Sequence, residues 1–264
     1  THWVWGGGIL SSWGTMDFAG GIVVHATAGT GALVTAITLG KRRGFPKSLT
    51  PPHSPILTMI GASMLWIGWF GFNAGSALGA NTGAGMAMLV THISAATASL
   101  VWMIIEWKRF GKPSLIGIVT GMVAGLATVT PASGYIGVPG ALILGFFGGL
   151  LCYIAVDFIR GKLKIDDSLD VFAVHGVGGI LGTLLVAFLA TSTFSGLGLA
   201  DGQNGLSQFI VQFKAVILTV LWTSVFTYLI LKITSLFVSL RVDEQEEIEG
   251  LDLRSHGEKG YHSD

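Results

Sequence analysis

The stretch VFAVHGVGGILGTLLVAFLATS, residues 171–192, decides the class of fold. It contains no Asp, Glu, Lys or Arg, and a helix needs about 20 apolar residues to cross the hydrocarbon core of a bilayer. Six further apolar runs cover residues 18–40, 56–77, 85–106, 115–133, 139–159 and 207–240. The sequence therefore predicts an all-α, polytopic transmembrane helix bundle with seven spans in a membrane domain over residues 1–240.

The composition supports a membrane protein and excludes several other classes. Of the 264 residues, 11% are charged and 51% are hydrophobic, with a mean hydropathy of +0.68, whereas soluble domains carry about 25% charged residues. The 39 glycines suit closely packed membrane helices. These values exclude a water-soluble enzyme, a disordered protein and a disulfide scaffold. The 15 basic and 15 acidic residues balance, which gives no support to nucleic-acid binding.

The loops between the predicted spans alternate in charge. The loops 78–84, 134–138 and 193–206 contain no Lys or Arg. The other three loops contain Lys41, Arg42, Arg43, Lys47, Lys108, Arg109, Lys112, Arg160, Lys162 and Lys164. The positive-inside rule then puts the basic loops and the C-terminus in the cytoplasm, most simply at the plasma membrane. Residue 1 falls outside, so we expect further spans to precede it. Residues 241–264 hold eight acidic residues and predict a cytoplasmic tail.

Titratable side chains at membrane depth are functional candidates, because burying them there is costly. His25 and His175 lie among small residues that allow close helix approach, while His92 has a weaker setting and is interpreted as structural. Each histidine has the alternative role of a packing hydrogen bond between helices. Asp17 and Asp170 each precede a span and are interpreted as helix caps. For Asp17, an electrostatic effect on a passing cation is compatible with capping.

Aromatic residues near the outer ends of the spans indicate a cation site. Trp5 and Phe72 are placed there, and the faces of aromatic rings attract small cations. The Ser76 hydroxyl, one helical turn beyond Phe72, can accept a hydrogen bond. Together with the two deeper imidazoles, these residues describe an outer site followed by an apolar path.

Several blocks of this sequence resemble the ammonium transporter (Amt/Rh) family. They are WVWGGG (3–8), DFAGGIVVH (17–25), GWFGFNAGS (68–76), GKPSL (111–115), TPASGYIG (130–137), DVFAVHG (170–176) and EGLDLRSHGE (249–258). The resemblance implies an eleven-helix bundle in which two five-helix repeats are inverted relative to each other, assembled as a homotrimer. This chain resembles the fifth helix onward. Trp5 and Ser76 are typical of the Amt branch.

The resemblance also implies residue roles and partners. Trp5, Phe72 and Ser76 would form the outer ammonium site, with Asp17 supporting it and orienting the local backbone. Ammonium would lose its proton there, and ammonia would pass His25 and His175, the paired pore histidines and possible proton relay. No cofactor, bound metal or enzymatic activity is expected. The tail resembles the segment that couples subunits and meets PII-type signalling proteins.

Other functions stay open at this point. An ammonium sensor could use the same site to change the conformation of the tail. An intramembrane metalloenzyme could use His25, His175 and Asp17 as ligands. A retinal-binding seven-helix protein would need a lysine in the middle of the last span, whereas Lys214 and Lys232 lie toward its two ends.

Overall fold

The computed structural model of the protein describes residues 1–49 and 51–260. Every regular element of these residues is helical, which confirms the all-α membrane bundle. The helices are α1 (His2–Trp5), α2 (Ile9–Ser12), α3 (Gly21–Leu39), α4 (Pro55–Gly75), α5 (Thr82–Phe110), α6 (Leu115–Val129), α7 (Val138–Lys162), α8 (Phe172–Leu189), α9 (Gly205–Thr234) and α10 (Glu244–Glu249). The last four residues of the predicted tail, 261–264, lie outside the described residues.

Six of these helices are long and apolar enough to cross a membrane: α3, α4, α5, α7, α8 and α9. The remaining predicted span, 115–133, contains α6, which has 15 residues and is followed by a turn that includes Pro131. Proline has no N–H to continue the helical hydrogen bonds. The span predicted over 207–240 ends earlier, at Thr234.

Side-chain caps define where four of the helices begin. Ser54, Asn81, Ser114 and Asn204 each accept a hydrogen bond from a backbone N–H in the first turn of α4, α5, α6 and α9, at 2.8–3.2 Å. The first N–H groups of a helix have no partner within the helix, so a polar cap stabilises its start.

Helices α5, α6 and α7 pack closely because glycines face one stretch of α5. Gly125 of α6 and Gly145 of α7 both lie against the backbone oxygen of Ser94. Gly149, one turn further along α7, lies against Ala98. Small residues allow helix backbones to approach in this way, and dispersion contacts then stabilise the pair.

The basic loops and the tail lie at one end of the bundle. Arg42, after α3, pairs with Asp166 before α8 at 3.1 Å. Arg241 donates to the carbonyl oxygen of Leu39 at 3.2 Å and also pairs with Glu247 of α10. That hydrogen bond from Arg241 lowers the pKa of the Glu247 carboxyl. The contacts therefore join the tail to the loops that carry the positive charges.

Two further ion pairs join neighbouring elements. Asp157 pairs with Arg109 at the end of α5, because α5 and α7 pack side by side. Arg160 pairs with Asp170 at 3.1 Å. Burial raises the pKa of the Asp170 carboxyl to about 6, although Arg160 opposes this shift. Because the Asp170 carboxylate pairs with Arg160, the prediction that it caps a helix is wrong.

Helices α3 and α8 cross where both have glycines. A Cβ atom added to Gly29 would lie 2.3 Å from the Cα atom of Gly176. One added to Gly179 would lie 2.5 Å from the Cβ atom of His25. Both distances are too short for carbon atoms in contact. These glycines therefore permit the approach that brings the histidine-bearing turns of α3 and α8 together.

We expect Gly29→Ala to destabilise the protein by about 1–3 kcal/mol, because the added methyl group meets backbone that cannot rotate away. Thermal unfolding in detergent measures the effect. Gly161→Ala is the matched control, since a Cβ atom at Gly161 meets nothing within 4 Å. Equal melting temperatures for the two variants would contradict the close crossing.

Candidate functional site

The centre of the site is a pair of histidines from two different helices. The Nδ1 atoms of His25 on α3 and His175 on α8 are 3.2 Å apart. One of these nitrogens must carry a hydrogen and the other must accept it. His25 is 2% exposed, and its Nε2 atom has no hydrogen-bond partner among the described residues. The structure therefore brings together the two histidines selected from the sequence.

Both histidines lie in π-helical turns, at Gly21–Ala26 and Phe172–Gly176. Such wide turns are rare and occur often at functional sites. Each turn opens the helix that carries it and continues into ordinary α-helix. The two imidazoles thus occupy equivalent positions in two similar elements.

A carboxylate holds the start of each π-helical turn. The Asp17 oxygens accept four hydrogen bonds, at 2.6–3.2 Å, from consecutive N–H groups of residues 20–23. Asp167 accepts from the N–H groups of Val171 and Phe172 at 3.0 and 2.7 Å. Negative charge is favourable at a helix N-terminus. Asp17 is therefore confirmed as a helix cap, and Asp167 takes the role predicted for Asp170.

Sequence reasoning missed Asp167, although a signal was present. Asp17 and His25 are separated by eight positions, as are Asp167 and His175. Asp170 is nearer to the histidine, but its backbone has a φ of 55° and its side chain turns to Arg160. The repeated spacing, rather than proximity to the span, identifies the cap.

Trp69 of α4 is the second residue that the sequence analysis did not select. Its ring lies nearly parallel to both imidazoles, with centroids 5.2 Å from His25 and 6.3 Å from His175. The indole Nε1 donates to the Thr130 hydroxyl oxygen at 3.0 Å, and that hydroxyl donates to the carbonyl oxygen of Leu126. Trp69 thus forms a fixed wall beside the histidine pair.

Phe72 lies one helical turn after Trp69 and contacts the same cluster. Its ring centroid is 5.7 Å from that of Trp69 and 6.1 Å from that of His25, both edge to face. Ser76, one turn further, donates its hydroxyl hydrogen to the Phe72 carbonyl oxygen at 2.9 Å. The lone pairs of the exposed Ser76 oxygen are then oriented to accept a hydrogen bond. Trp69 and Phe72 of α4, and Ser76 directly after it, therefore follow one another at intervals of about one helical turn.

Trp5 joins the site through the backbone of Asp17. Its indole Nε1 donates to the Asp17 carbonyl oxygen at 2.7 Å, and its ring lies close to Gly20. The ring is half-exposed, at 47%. Asp17 therefore orients Trp5 with its carbonyl group and the first turn of α3 with its carboxylate.

The geometry disfavours a metal centre at this place. Both Asp17 oxygens already bind backbone N–H groups, so the carboxylate is not available as a third ligand beside His25 and His175. Among residues 1–49 and 51–260, no group of three or more His, Cys, Asp or Glu side chains could hold a metal ion.

His92 stacks on Trp66 of α4, with ring centroids 5.1 Å apart.

We expect Thr130→Val to destabilise the protein by about 1–3 kcal/mol, because the buried indole N–H of Trp69 loses its acceptor. Thr130→Ser keeps the hydroxyl and serves as the matched control. Denaturant unfolding in detergent compares the two variants. If the valine variant is as stable as the serine variant, Thr130 does not hold Trp69.

Comparisons with known proteins agree on one family. The family model described as Ammonium Transporter Family matches residues 1–261. The chain is 49% identical to the ammonium transporter Amt1 of Archaeoglobus fulgidus, over 98% of this chain and 66% of that protein. It is 46% identical to the ammonium transporter of Aquifex aeolicus, over 98% of this chain and 60% of that protein.

Solved structures show the same fold. A structure titled Sensor Amt Protein matches with a TM-score of 0.89 and 32% identity, over 97% of this chain and 65% of that chain. Saccharomyces cerevisiae Mep2 matches with a TM-score of 0.81 and 33% identity, over 90% of this chain and 57% of that chain. The sequence thus spans 57–66% of the length of these four proteins.

Proposed function

Because the chain belongs to the ammonium transporter family, we propose that it forms part of a membrane protein that transports ammonium or ammonia. This family is one of transporters and not of enzymes. The observation that carries the proposal is the contact between the Nδ1 atoms of His25 and His175, beside the rings of Trp69 and Phe72. While the Nδ1 atoms bind each other, the buried Nε2 atom of His25 has no partner among the described residues and can exchange a hydrogen bond with a small polar solute.

At the outer end, ammonium binds against the faces of Trp5 and Phe72 and donates a hydrogen bond to Ser76. A cation is attracted to an aromatic face by the ring quadrupole, by about 0.5–2 kcal/mol. Asp17 supports this site indirectly, since its carbonyl group orients Trp5. Its carboxylate is engaged by backbone N–H groups, and it acts on a nearby cation through its charge.

Ammonium gives up its proton to an imidazole nitrogen of the His25–His175 pair and crosses the apolar path as neutral ammonia. Moving an ammonium ion through an apolar path without paired charges is far more costly than moving a neutral molecule. His25 and His175 exchange hydrogen bonds with ammonia, and their contact gives the released proton a route between the imidazoles. Potassium has no proton to release, so this path discriminates against it.

The distribution of charge supports a defined orientation in the membrane. Two of the three loops that carry Lys and Arg are joined to each other and to the tail by Arg42–Asp166 and by Arg241 with Leu39. We propose that this end faces the cytoplasm and that the protein lies in the plasma membrane. The turns that hold Trp5 and Asp17 then face outward.

Assembly and regulation are proposed from the family resemblance. We propose a homotrimer with one pore in each subunit. The tail, residues 241–264, is the proposed contact for a PII-type protein. In α10, Glu247 pairs with Arg241, and Glu246 and Glu249 pair with Arg254. Glu244 has no such pair among the described residues and suits a basic group of the partner.

The second candidate function is an ammonium sensor. The similarity to a structure titled Sensor Amt Protein favours this possibility, because the fold of that protein covers 97% of the chain. In a sensor, occupation of the same site would change the contacts that Arg241 makes with Leu39 and Glu247. A growth assay separates a sensor from a transporter.

The test uses the full-length gene product in a host that lacks its own ammonium transporters. We expect the unchanged protein to restore growth on low ammonium. His25→Ala with His175→Ala is expected to lower ammonium uptake at least about tenfold or to relax selectivity against potassium, since each lost hydrogen bond costs about 1 kcal/mol. Uptake rates and potassium currents measure the two effects.

His92→Ala is the matched control, because it removes an imidazole at membrane depth that stacks on Trp66 and not on the pair. Unchanged uptake and selectivity in the double variant would contradict the histidine mechanism. Failure of the unchanged, well-expressed protein to restore growth would favour the sensor.

A further inference from the structure

A buried glutamine on α9 binds the backbone of the turn before α3. The Gln212 side chain is 0% exposed. Its Oε1 accepts from the N–H of Met16 at 2.8 Å, and its Nε2 donates to the carbonyl oxygens of Met16 and Thr183 at 2.7 and 2.9 Å. A single amide thus joins α9, the turn at Met16 and α8.

Gln208, one helical turn earlier on α9, extends this arrangement. Its Nε2 donates to the carbonyl oxygen of Gly14 at 3.0 Å and to Oε1 of Gln212 at 3.2 Å. Gln208 is 3% exposed. We call Gln208 and Gln212 the glutamine clamp, because together they hold the backbone at Gly14 and Met16.

The hydrogen bonds of Gln212 distinguish it from a residue that only fills space. An amide in an apolar span is costly unless all its groups are paired, and the three backbone groups bound by Gln212 all lie outside α9. Thr219 of the same helix makes a contrast. It is also buried, yet its hydroxyl donates only to the carbonyl oxygen of Ala215 within α9. Gln212 therefore fixes a turn, whereas Thr219 does not.

The turn held by the clamp leads directly to the outer site. Met16 precedes Asp17, whose carbonyl oxygen accepts the hydrogen bond of the Trp5 indole. The Asp17 carboxylate is fixed separately, by four N–H groups of its own segment. A shift at Met16 would therefore move Trp5 more than it would move His25.

We propose that Gln212 is a positioning residue that sets the affinity of the outer site for ammonium through the backbone of Met16 and Asp17. This inference rests on the proposed function, since it concerns the same site. The clamp keeps the Asp17 carbonyl group, and with it the Trp5 ring, in the orientation that faces the cation.

The experiment measures uptake by the full-length protein in proteoliposomes over a range of ammonium concentrations. We expect Gln212→Leu to raise KM about tenfold and to change the maximal rate less than about twofold, since positioning acts on binding. In a Trp5→Leu background, the Gln212→Leu change should raise KM less than about twofold. Both substitutions remove the same contribution to binding, that of the oriented Trp5 ring, so their effects do not add. Thr219→Val is the matched control on α9 and should leave KM unchanged.

Two results would overturn the proposal. One is an equal rise in KM with and without Trp5, and the other is a lower maximal rate at unchanged KM.

If Gln212→Leu does not fold, Gln208→Leu provides the test, since it leaves the three backbone bonds of Gln212 in place. We expect it to raise KM about threefold, again only when Trp5 is present. An unchanged KM in Gln208→Leu would contradict an effect of the glutamine clamp on affinity.

Hydrogen exchange gives a readout that does not require transport. The Met16 N–H donates to Gln212, so a peptide containing Met16 should exchange faster in Gln212→Leu, while peptides of α5 stay unchanged. Unaltered exchange at Met16 would overturn the positioning role. If the unchanged protein does not transport ammonium, the proposed function fails, and exchange at Met16 still decides whether the clamp holds the turn.

Discussion

Four consecutive backbone N–H groups, from Gly20 to Val23, converge on the carboxylate oxygens of Asp17. These are the groups that a helix leaves unpaired at its start, and their burial without a partner would be costly. The bonds allow α3 to begin below the surface with a wide π-helical turn. His25 lies in that turn, and the Asp17 carbonyl oxygen binds Trp5 on the other side. One residue thus links Trp5 to the turn that carries His25.

A second carboxylate caps a second π-helical turn, and glycines allow the two turns to approach each other. Asp167 caps the π-helical turn that carries His175. The crossing of α3 and α8 at Gly29 and Gly176 sets the distance between the two turns. The backbone positions of the two turns already bring the imidazoles together, so neither side chain has to move far to reach the other. The Trp69 ring then lies nearly parallel to both imidazoles and forms a wall on one side of the pair.

The sequence was sufficient for the fold class and for selecting the two histidines that the structure brings into contact, but not for their supporting contacts. Apolar runs between charged loops predict the spans, and imidazoles in such runs are conspicuous because they are costly there. Trp69 could not be selected in this way, since α4 is apolar around most of its surface and its pattern does not show which face meets the histidines. Likewise, the arginine nearest to Asp157 in the sequence is Arg160, and only the packing of α5 on α7 brings Arg109 to it instead.

The central claim is that the Asp17 carboxylate holds the turn that places His25 against His175. An experimental structure of the full-length Asp17→Asn variant, beside the unchanged protein, tests it most directly, because the amide nitrogen of asparagine cannot accept hydrogen bonds. We predict that the Nδ1 atoms of the two histidines lie about 3.2 Å apart in the unchanged protein and beyond hydrogen-bond distance in the variant. An intact pair and an unaltered π-helical turn in the variant would contradict this account.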